Sequence, residues 1–223
     1  MTKRLLIQAI AKLLLGFILI CFLIFLPAGT LRFFGGWLFI GVLFVPMLLL
    51  GIVMLIKSPE LLKKRLNAKE KQKEQDTVVK LSGLMFIGGF IVAGLGLRFE
   101  WYILPRYISI VGALLFLISY ILYAEVMREN AYLSRTIEVQ EGQRVVDTGL
   151  YSIVRHPMYS VTLILFITIP IILGSVYSLL IFMVYPFIIA KRIKNEESLL
   201  EKELAGYKEY KQKVRYRLIP FIW

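Results

Sequence analysis

The sequence predicts an all-α integral membrane protein: a polytopic bundle of about six membrane helices, the last two forming a hairpin, followed by a C-terminal amphipathic interfacial helix. Hydrophobic residues make up 58% of the 223 residues, against roughly 45–50% in soluble domains. The excess falls in runs near the ~20 residues that cross a bilayer as a helix. Helices are expected because they satisfy their own backbone hydrogen bonds in hydrocarbon.

Four such runs precede the polar stretch that starts at Arg128: Leu5–Leu26, Phe33–Ile56, Val78–Leu97 and Tyr107–Met127. The first is too long for a signal-peptide core and lacks a convincing cleavage site, so we expect a retained span. The third is rich in glycine, which predicts close helix packing at the centre of the bundle. Ser58-Pro59-Glu60 predicts the start of a short surface helix. We expect one structural domain with two regions, 1–127 and 128–223.

The last apolar stretch, Pro157 to Ala190, has 34 residues and is interrupted near Pro170 and Gly174. It fits either one long tilted helix or a tight hairpin. Charge favours the hairpin. The tail after Ala190 carries nine Lys and Arg residues, and a single span would place them outside, against the positive-inside rule. The predicted arms are Pro157–Leu173 and Tyr177–Ala190, with both termini and the active site cytoplasmic.

The tail, Lys191 to Val214, has the spacing of one amphipathic helix. Its apolar stripe consists of Ile193, Leu200, Leu204, Tyr207 and Val214. Glu197 falls on the same stripe. A carboxylate there must either reach water at the edge of the stripe or be paired.

A second chemical signal is the Arg155-His156-Pro157 corner, which holds the single histidine. Proline is favoured at the first position of a helix, so His156 is expected just before it. A helix N-terminus and an arginine fork suit an anionic group. The alternative is an interfacial anchor at the lipid headgroups. The predicted hairpin brings Glu196 and Glu197 back to this corner.

Together these residues resemble the isoprenylcysteine carboxyl methyltransferases and phospholipid methyltransferases. The resemblance covers roughly residues 125–223. The matching residues are Asn130, Ser134-Arg135, Gly149-Leu150-Tyr151, Arg155-His156-Pro157-Met158-Tyr159, Glu196-Glu197 and the closing run from Tyr207 to Pro220. The pattern departs from the family at Ser160 and Val161, where glycine is frequent, and at Leu150, which replaces a frequent proline.

The resemblance implies S-adenosylmethionine as methyl donor, with His156 and Tyr159 touching it and Glu196 and Glu197 holding its polar groups. The remaining residues expected to bind it are Asn130, Tyr151, Arg155 and Pro157. No dinucleotide-binding glycine fingerprint is present, which argues against a soluble-type methyltransferase. One cysteine, Cys21, excludes a cysteine-cluster metal site.

The expected acceptor is a lipid or a prenylated molecule, most readily at a carboxylate. A carboxylate is already ionised, so it needs orientation and desolvation rather than a base. Arg215 is the candidate orienting residue and Glu209 its partner. A lipid amine would instead need a base, for which a glutamate is favoured. The formal charge of +12 is ascribed to topology and anionic headgroups rather than nucleic acid.

Two other readings stay open. Membrane sterol reductases carry a similar C-terminal Arg-His-Pro and tyrosine pattern and use a nicotinamide donor, but they are usually longer. A non-catalytic lipid-binding module with the same fold would be insensitive to loss of His156 or Glu197.

Overall fold

The computed structural model describes residues 2–66, 73–101, 103–133 and 139–223. These parts of the chain contain nine α-helices and a short 3₁₀ helix, Gly149–Ser152. The α-helices are α1 Thr2–Ala28, α2 Phe34–Lys57, α3 Pro59–Leu66, α4 Lys73–Arg98, α5 Arg106–Glu129, α6 Pro157–Ile172, α7 Val176–Phe182, α8 Tyr185–Glu203 and α9 Tyr207–Lys213.

The predicted polytopic helical fold is confirmed. Five stretches are long and apolar enough to cross a membrane: Leu5–Ala28, Phe34–Lys57, Asp76–Arg98, Arg106–Glu129 and Val176–Glu203. The sixth membrane helix expected from the sequence is α6, an apolar arm of 16 residues. At 1.5 Å per residue it is about 24 Å long, somewhat short of the hydrocarbon core.

The final apolar stretch folds into the predicted hairpin. Gly174 makes the turn at φ +69°, and the Ser175 side chain accepts from the backbone N–H of Ser178. Facing side chains then join the arms: Thr162 Oγ1 lies 3.1 Å from the Tyr185 hydroxyl. The N–H of Leu104 donates to the Gly174 carbonyl at 2.8 Å. Since Leu104 lies in the α4–α5 connection, the short α6 arm reaches the level of the loop on the opposite side of the bundle.

The end of the second arm differs from the prediction. Instead of stopping at Ala190, α8 continues to Glu203. The first half of the expected tail helix is therefore the C-terminal part of the second hairpin arm. The helix ends where the backbone of Leu204 becomes extended, at φ −104° and ψ 112°. Gly206 then adopts φ +82° just before α9, a left-handed conformation that favours glycine. The apolar stripe continues into α9, where Tyr207 and Val214 are buried beside Leu204. The tail is therefore two short segments bent around one small core.

Glycines on α4 allow the close packing that the sequence predicts for this helix. A Cβ added at Gly94 would lie 2.6 Å from the backbone oxygen of Ile24 in α1, and one at Gly89 would lie 2.3 Å from the Phe182 ring. Real Cβ atoms do not approach other atoms this closely. The backbone of α1 and the ring at the end of α7 therefore use the space that these two glycines leave.

We expect Gly94→Ala to destabilise the protein by about 1–3 kcal/mol, because the new methyl group must push α1 away from α4. Gly88→Ala on the same helix is the matched control, since nothing lies within 4 Å of its added Cβ. Thermal unfolding of the two variants in the same detergent measures the difference. Equal melting temperatures would contradict the close approach of α1 and α4.

Candidate functional site

The polar side chains of the C-terminal half converge at one end of the bundle. Four segments bring them there: the end of α5, the 3₁₀ helix, the corner where α6 begins, and the C-terminal half of α8. The chain after α9 closes the site from outside. His156 occupies the N-cap position and Pro157 the first turn of α6, as the sequence predicts.

Glu197 is the hub of the site. Its side chain is 3% exposed. Oε1 accepts from Arg155 Nε at 2.7 Å and lies 3.3 Å from His156 Nε2. Oε2 accepts from Arg217 Nε at 2.8 Å. The sequence left two readings for a carboxylate on this stripe, and the geometry selects the paired one. Both oxygens are satisfied, which is what a buried carboxylate requires.

Arg155 connects this hub to the C-terminal chain. Its Nη1 donates to the carbonyls of Val214 and Arg215 at 2.7 and 2.8 Å. The backbone N–H groups of Arg155 and His156 donate to the carbonyls of Tyr216 and Arg217. The buried guanidinium thus holds the chain after α9 against the corner at the start of α6.

Ser160, which stands where the family frequently has glycine, joins the same contact. Its hydroxyl donates to the Leu218 carbonyl at 2.6 Å. The departure from the family pattern therefore adds a tie between α6 and the C-terminal chain and takes no polar group away from the corner.

Glu196 faces the opposite way from Glu197, towards an open pocket. Its Oε2 accepts from the Tyr159 hydroxyl at 2.5 Å. Arg192 Nε donates to the same hydroxyl at 2.9 Å. The His156 ring stacks on Tyr159 with 5.7 Å between centroids. A cation, a phenol and a carboxylate therefore form a connected set along the pocket wall.

The far wall rests on the 3₁₀ helix. Asn130 Nδ2 donates to the Tyr151 hydroxyl at 3.0 Å, and the Tyr210 hydroxyl donates to the Tyr151 carbonyl at 2.7 Å. The Glu129 carboxylate accepts from the N–H of Leu150 at 3.2 Å. It lies directly over Gly149, whose φ is +51°. No larger residue fits under that carboxylate in this backbone conformation.

These groups line an open pocket, which encloses about 820 Å³ of space when its open mouth is included. Its polar residues are Asn130, Gln143, Arg144, Arg155, His156, Arg192 and Glu196, its tyrosines 132, 151, 159, 207 and 210, and its apolar residues Leu133, Val145, Val146, Met158, Leu200 and Leu204.

Tyr207 is the least satisfied group in this wall. The residue is 4% exposed, and its hydroxyl has no hydrogen-bond partner within the described parts of the chain. Burial, reinforced by the negative charges of Glu197 and Glu196, raises the pKa of Tyr207 far above its usual value. The hydroxyl therefore stays protonated. It is a buried donor in the wall of the pocket.

Six of the predicted binding residues line the pocket: Asn130, Tyr151, Arg155, His156, Tyr159 and Glu196. Glu197 and Pro157 lie behind this wall. Arg215 and Glu209 are exposed and do not line the pocket, so their catalytic role stays a prediction. Ser134 and Arg135 of the family pattern lie outside the described residues.

Sequence reasoning missed Arg192, Arg217 and the binding potential of Tyr207. Arg192 stands four residues before Glu196, a spacing that puts both on one helix face and was available from the sequence. Tyr207 was assigned to the apolar stripe and to the closing run of the family pattern, without a binding role. Arg217 had no local signal, because its pairing with Glu197 depends on how the chain returns after α9.

Residues 107–206 match the family model described as phospholipid methyltransferase. The fold is similar to that of a eukaryotic intramembrane Ras methyltransferase, isoprenylcysteine carboxyl methyltransferase, with a TM-score of 0.52 and 17% identity over 97% of this chain and 85% of that chain. A comparison with curated proteins found no match. The family resemblance inferred from the sequence is confirmed over residues 107–206, and the structural similarity shows a common helical fold.

We expect Glu197→Gln to lower the free energy of unfolding by about 3 kcal/mol, because it leaves Arg155 and Arg217 without their counter-charge in a buried site. Glu201→Gln on the same helix is the control. Its ion pair with Lys211 is partly exposed and should be worth less than about 1 kcal/mol. Thermal unfolding in detergent compares the two, and equal losses would argue against Glu197 as the hub.

Proposed function

We propose that this chain, whose residues 107–206 match the phospholipid methyltransferase family, is a membrane-embedded, S-adenosylmethionine-dependent methyltransferase. Its acceptor is a lipid or prenylated molecule, methylated most readily at a carboxylate. One observation carries the proposal. The Glu196–Tyr159–Arg192 set and the orphaned Tyr207 hydroxyl share one pocket, at the end of a helical bundle whose outer surface is apolar.

The pocket residues fit the polar groups of this cofactor. A carboxylate such as Glu196 suits its ammonium group or ribose hydroxyls, and a guanidinium such as Arg192 suits its carboxylate. The apolar wall formed by Val145, Val146, Leu200 and Leu204 suits its adenine. Tyr207 offers a buried donor that needs an acceptor. Bound there, the cofactor would supply the activated methyl group.

The two neighbouring glutamates have different tasks in this proposal. Glu196 faces the pocket and contacts ligand. Glu197 acts through Arg155 and His156, which it holds in place, and so it is a positioning residue. His156 and Tyr159, stacked on one another, form the surface between these two carboxylates.

If the acceptor is an ionised carboxylate, the protein has to orient it and exclude water from it, and no base is needed. The site offers both, since buried tyrosines surround its inner wall. An amine acceptor would need a proton-accepting group, and Glu196 is the carboxylate that lines the pocket. The sequence assigned orientation of the acceptor to Arg215, with Glu209 beside it. Both side chains are exposed and lie outside the pocket lining, so this assignment stays a prediction.

We further propose that both termini and the pocket face the cytoplasm of an integral membrane protein. The hairpin returns the chain to the side from which it entered. The basic residues of the tail then share a side with those of the α2–α4 connection, where the sequence has eight Lys and Arg residues between positions 57 and 80. This distribution follows the positive-inside rule.

The test is transfer of a labelled methyl group from S-adenosylmethionine to a membrane lipid extract, followed by identification of the product. We expect Glu196→Gln to reduce transfer at least tenfold with a matching loss of cofactor affinity, because it removes the pocket carboxylate. Glu201→Gln, on the same helix but outside the pocket, should retain transfer. Calorimetric titration with S-adenosylmethionine and with a reduced nicotinamide cofactor separates this proposal from a reductase. Binding of the nicotinamide alone would overturn it, and binding of neither would favour the lipid-binding module.

Tyr207→Phe should have two effects of opposite sign. Loss of the unpaired hydroxyl removes a desolvation cost, so the ligand-free protein should become about 1 kcal/mol more stable. Loss of the donor should weaken cofactor binding by about three- to tenfold.

Tyr210→Phe is the matched control for this pair of effects. The Tyr210 hydroxyl already donates to the Tyr151 carbonyl, so its removal should destabilise the protein. Thermal unfolding and calorimetric titration provide the two measurements. A stabilised Tyr207→Phe variant with unchanged cofactor affinity would place the ligand elsewhere.

A further inference from the structure

The short helix α3 packs against the end of the bundle that carries the pocket. Its apolar residues Leu61, Leu62 and Leu66 join a cluster with Tyr123 of α5 and Leu133. Leu133 also lines the pocket. The helix therefore contacts the outer side of one pocket wall, although it lies outside the region that matches the methyltransferase family.

Arg65 of α3 points into this junction. Its Nη2 lies 3.8 Å from the sulfur of Met158, a residue of the pocket wall. Its guanidinium carbon lies 5.5 Å from the centroid of the Tyr123 ring. Its Nε is buried and has no hydrogen-bond partner among the residues that the structure describes. A half-buried guanidinium with a sulfur and a ring as neighbours is poorly compensated.

The other buried or half-buried arginines near the pocket are already engaged. Arg155 and Arg217 share Glu197, and Arg192 donates to Tyr159. Arg144 lines the pocket but is exposed to water. Arg65 differs from these because it is half-buried, with a buried Nε and no counter-charge in the described parts of the chain. Pairing with an incoming anion would therefore stabilise Arg65 more than the other arginines.

The helix α3 also borders an apolar groove. Leu62 and Leu66 line it together with residues of α1 and α2, including Ile10 and Met47, and the groove has a volume of about 710 Å³ to its open side. Arg65 therefore belongs to a helix that stands between an apolar surface and the polar pocket. A molecule with an apolar tail and a charged head is suited to such a boundary.

We propose that Arg65 determines acceptor specificity by pairing with an anionic oxygen pair on the head of an amphiphilic methyl acceptor. The inference rests on the proposed function and narrows its substrate class to acidic lipids. A guanidinium fork matches both a carboxylate and a phosphodiester, so the shared chemistry is a forked anion. Arg65 positions the acceptor and takes no part in bond making.

The test measures binding, so that it does not depend on turnover. Full-length protein in micelles of an uncharged maltoside detergent, with S-adenosylhomocysteine present, is titrated with two pairs of probes. The first pair is S-farnesyl-3-thiopropionic acid and its methyl ester. The second is a diacyl phosphatidic acid monomethyl ester, which is a charged phosphodiester, and its uncharged dimethyl ester. Each pair differs by one negative charge on the same tail.

We expect the wild-type protein to bind the charged member of at least one pair tenfold or more tightly than the neutral one, and the pair that responds identifies the anion. Arg65→Gln should reduce that preference to twofold or less, while Arg65→Lys keeps part of it. Lys63→Gln is the control, because Lys63 is an exposed cation on the same helix that pairs with Glu60. It should behave as wild type.

A preference absent from both pairs in the wild-type protein, or equal effects of Arg65→Gln and Lys63→Gln, would overturn the proposal. S-adenosylmethionine affinity, measured on the same variants, should not change with Arg65→Gln. If the charge preference depends on Arg65 while no variant binds S-adenosylmethionine, the proposed function fails and the anion site stands. If S-adenosylmethionine binds and Arg65→Gln leaves the charge preference unchanged, the anion site fails and the proposed function stands.

Discussion

The site depends on one buried carboxylate. Glu197 joins Arg155 and His156 at the start of α6 to Arg217 of the C-terminal chain. The two guanidinium groups would be unfavourable in an apolar bundle without the shared counter-charge. Because Arg155 in turn holds the carbonyls of Val214 and Arg215, the same carboxylate also decides where the C-terminal chain lies. The pocket wall is a consequence of that arrangement.

The bundle places this polar site at the boundary of two environments. Apolar helices with lipid-suited outer surfaces deliver Tyr159 and Glu196 to one end, where they meet in hydrogen bonds. A water-soluble cofactor and a membrane-dissolved acceptor would have to meet at such an edge. The position of α3, with Arg65 on the pocket side and leucines on the groove side, suits an acceptor that arrives from the bilayer.

The hairpin was predictable because charge placement in membranes is costly. Nine basic residues after Ala190 could only stay on their favoured side if the last apolar stretch reversed, and the turn at Gly174 does this. The end of α8 was not predictable, because the apolar stripe continues through Leu204 to Tyr207 with helical spacing. The extended backbone of Leu204 and the left-handed conformation of Gly206 show that the stripe belongs to two separate helices.

The sequence alone determined the helical membrane fold, the family resemblance and the meeting of the Arg155–His156 corner with Glu196 and Glu197. These follow from hydrophobic runs, charge counts and local motifs, which act over one or two helices. The tertiary structure decided that Glu196 faces the pocket while Glu197 faces inward, and that Arg217 also pairs with Glu197. It also decided that Tyr207 and Arg65 carry donors with no partner among the residues that the structure describes. Such facts depend on how distant segments exclude water from one another, and the linear spacing of residues does not encode that.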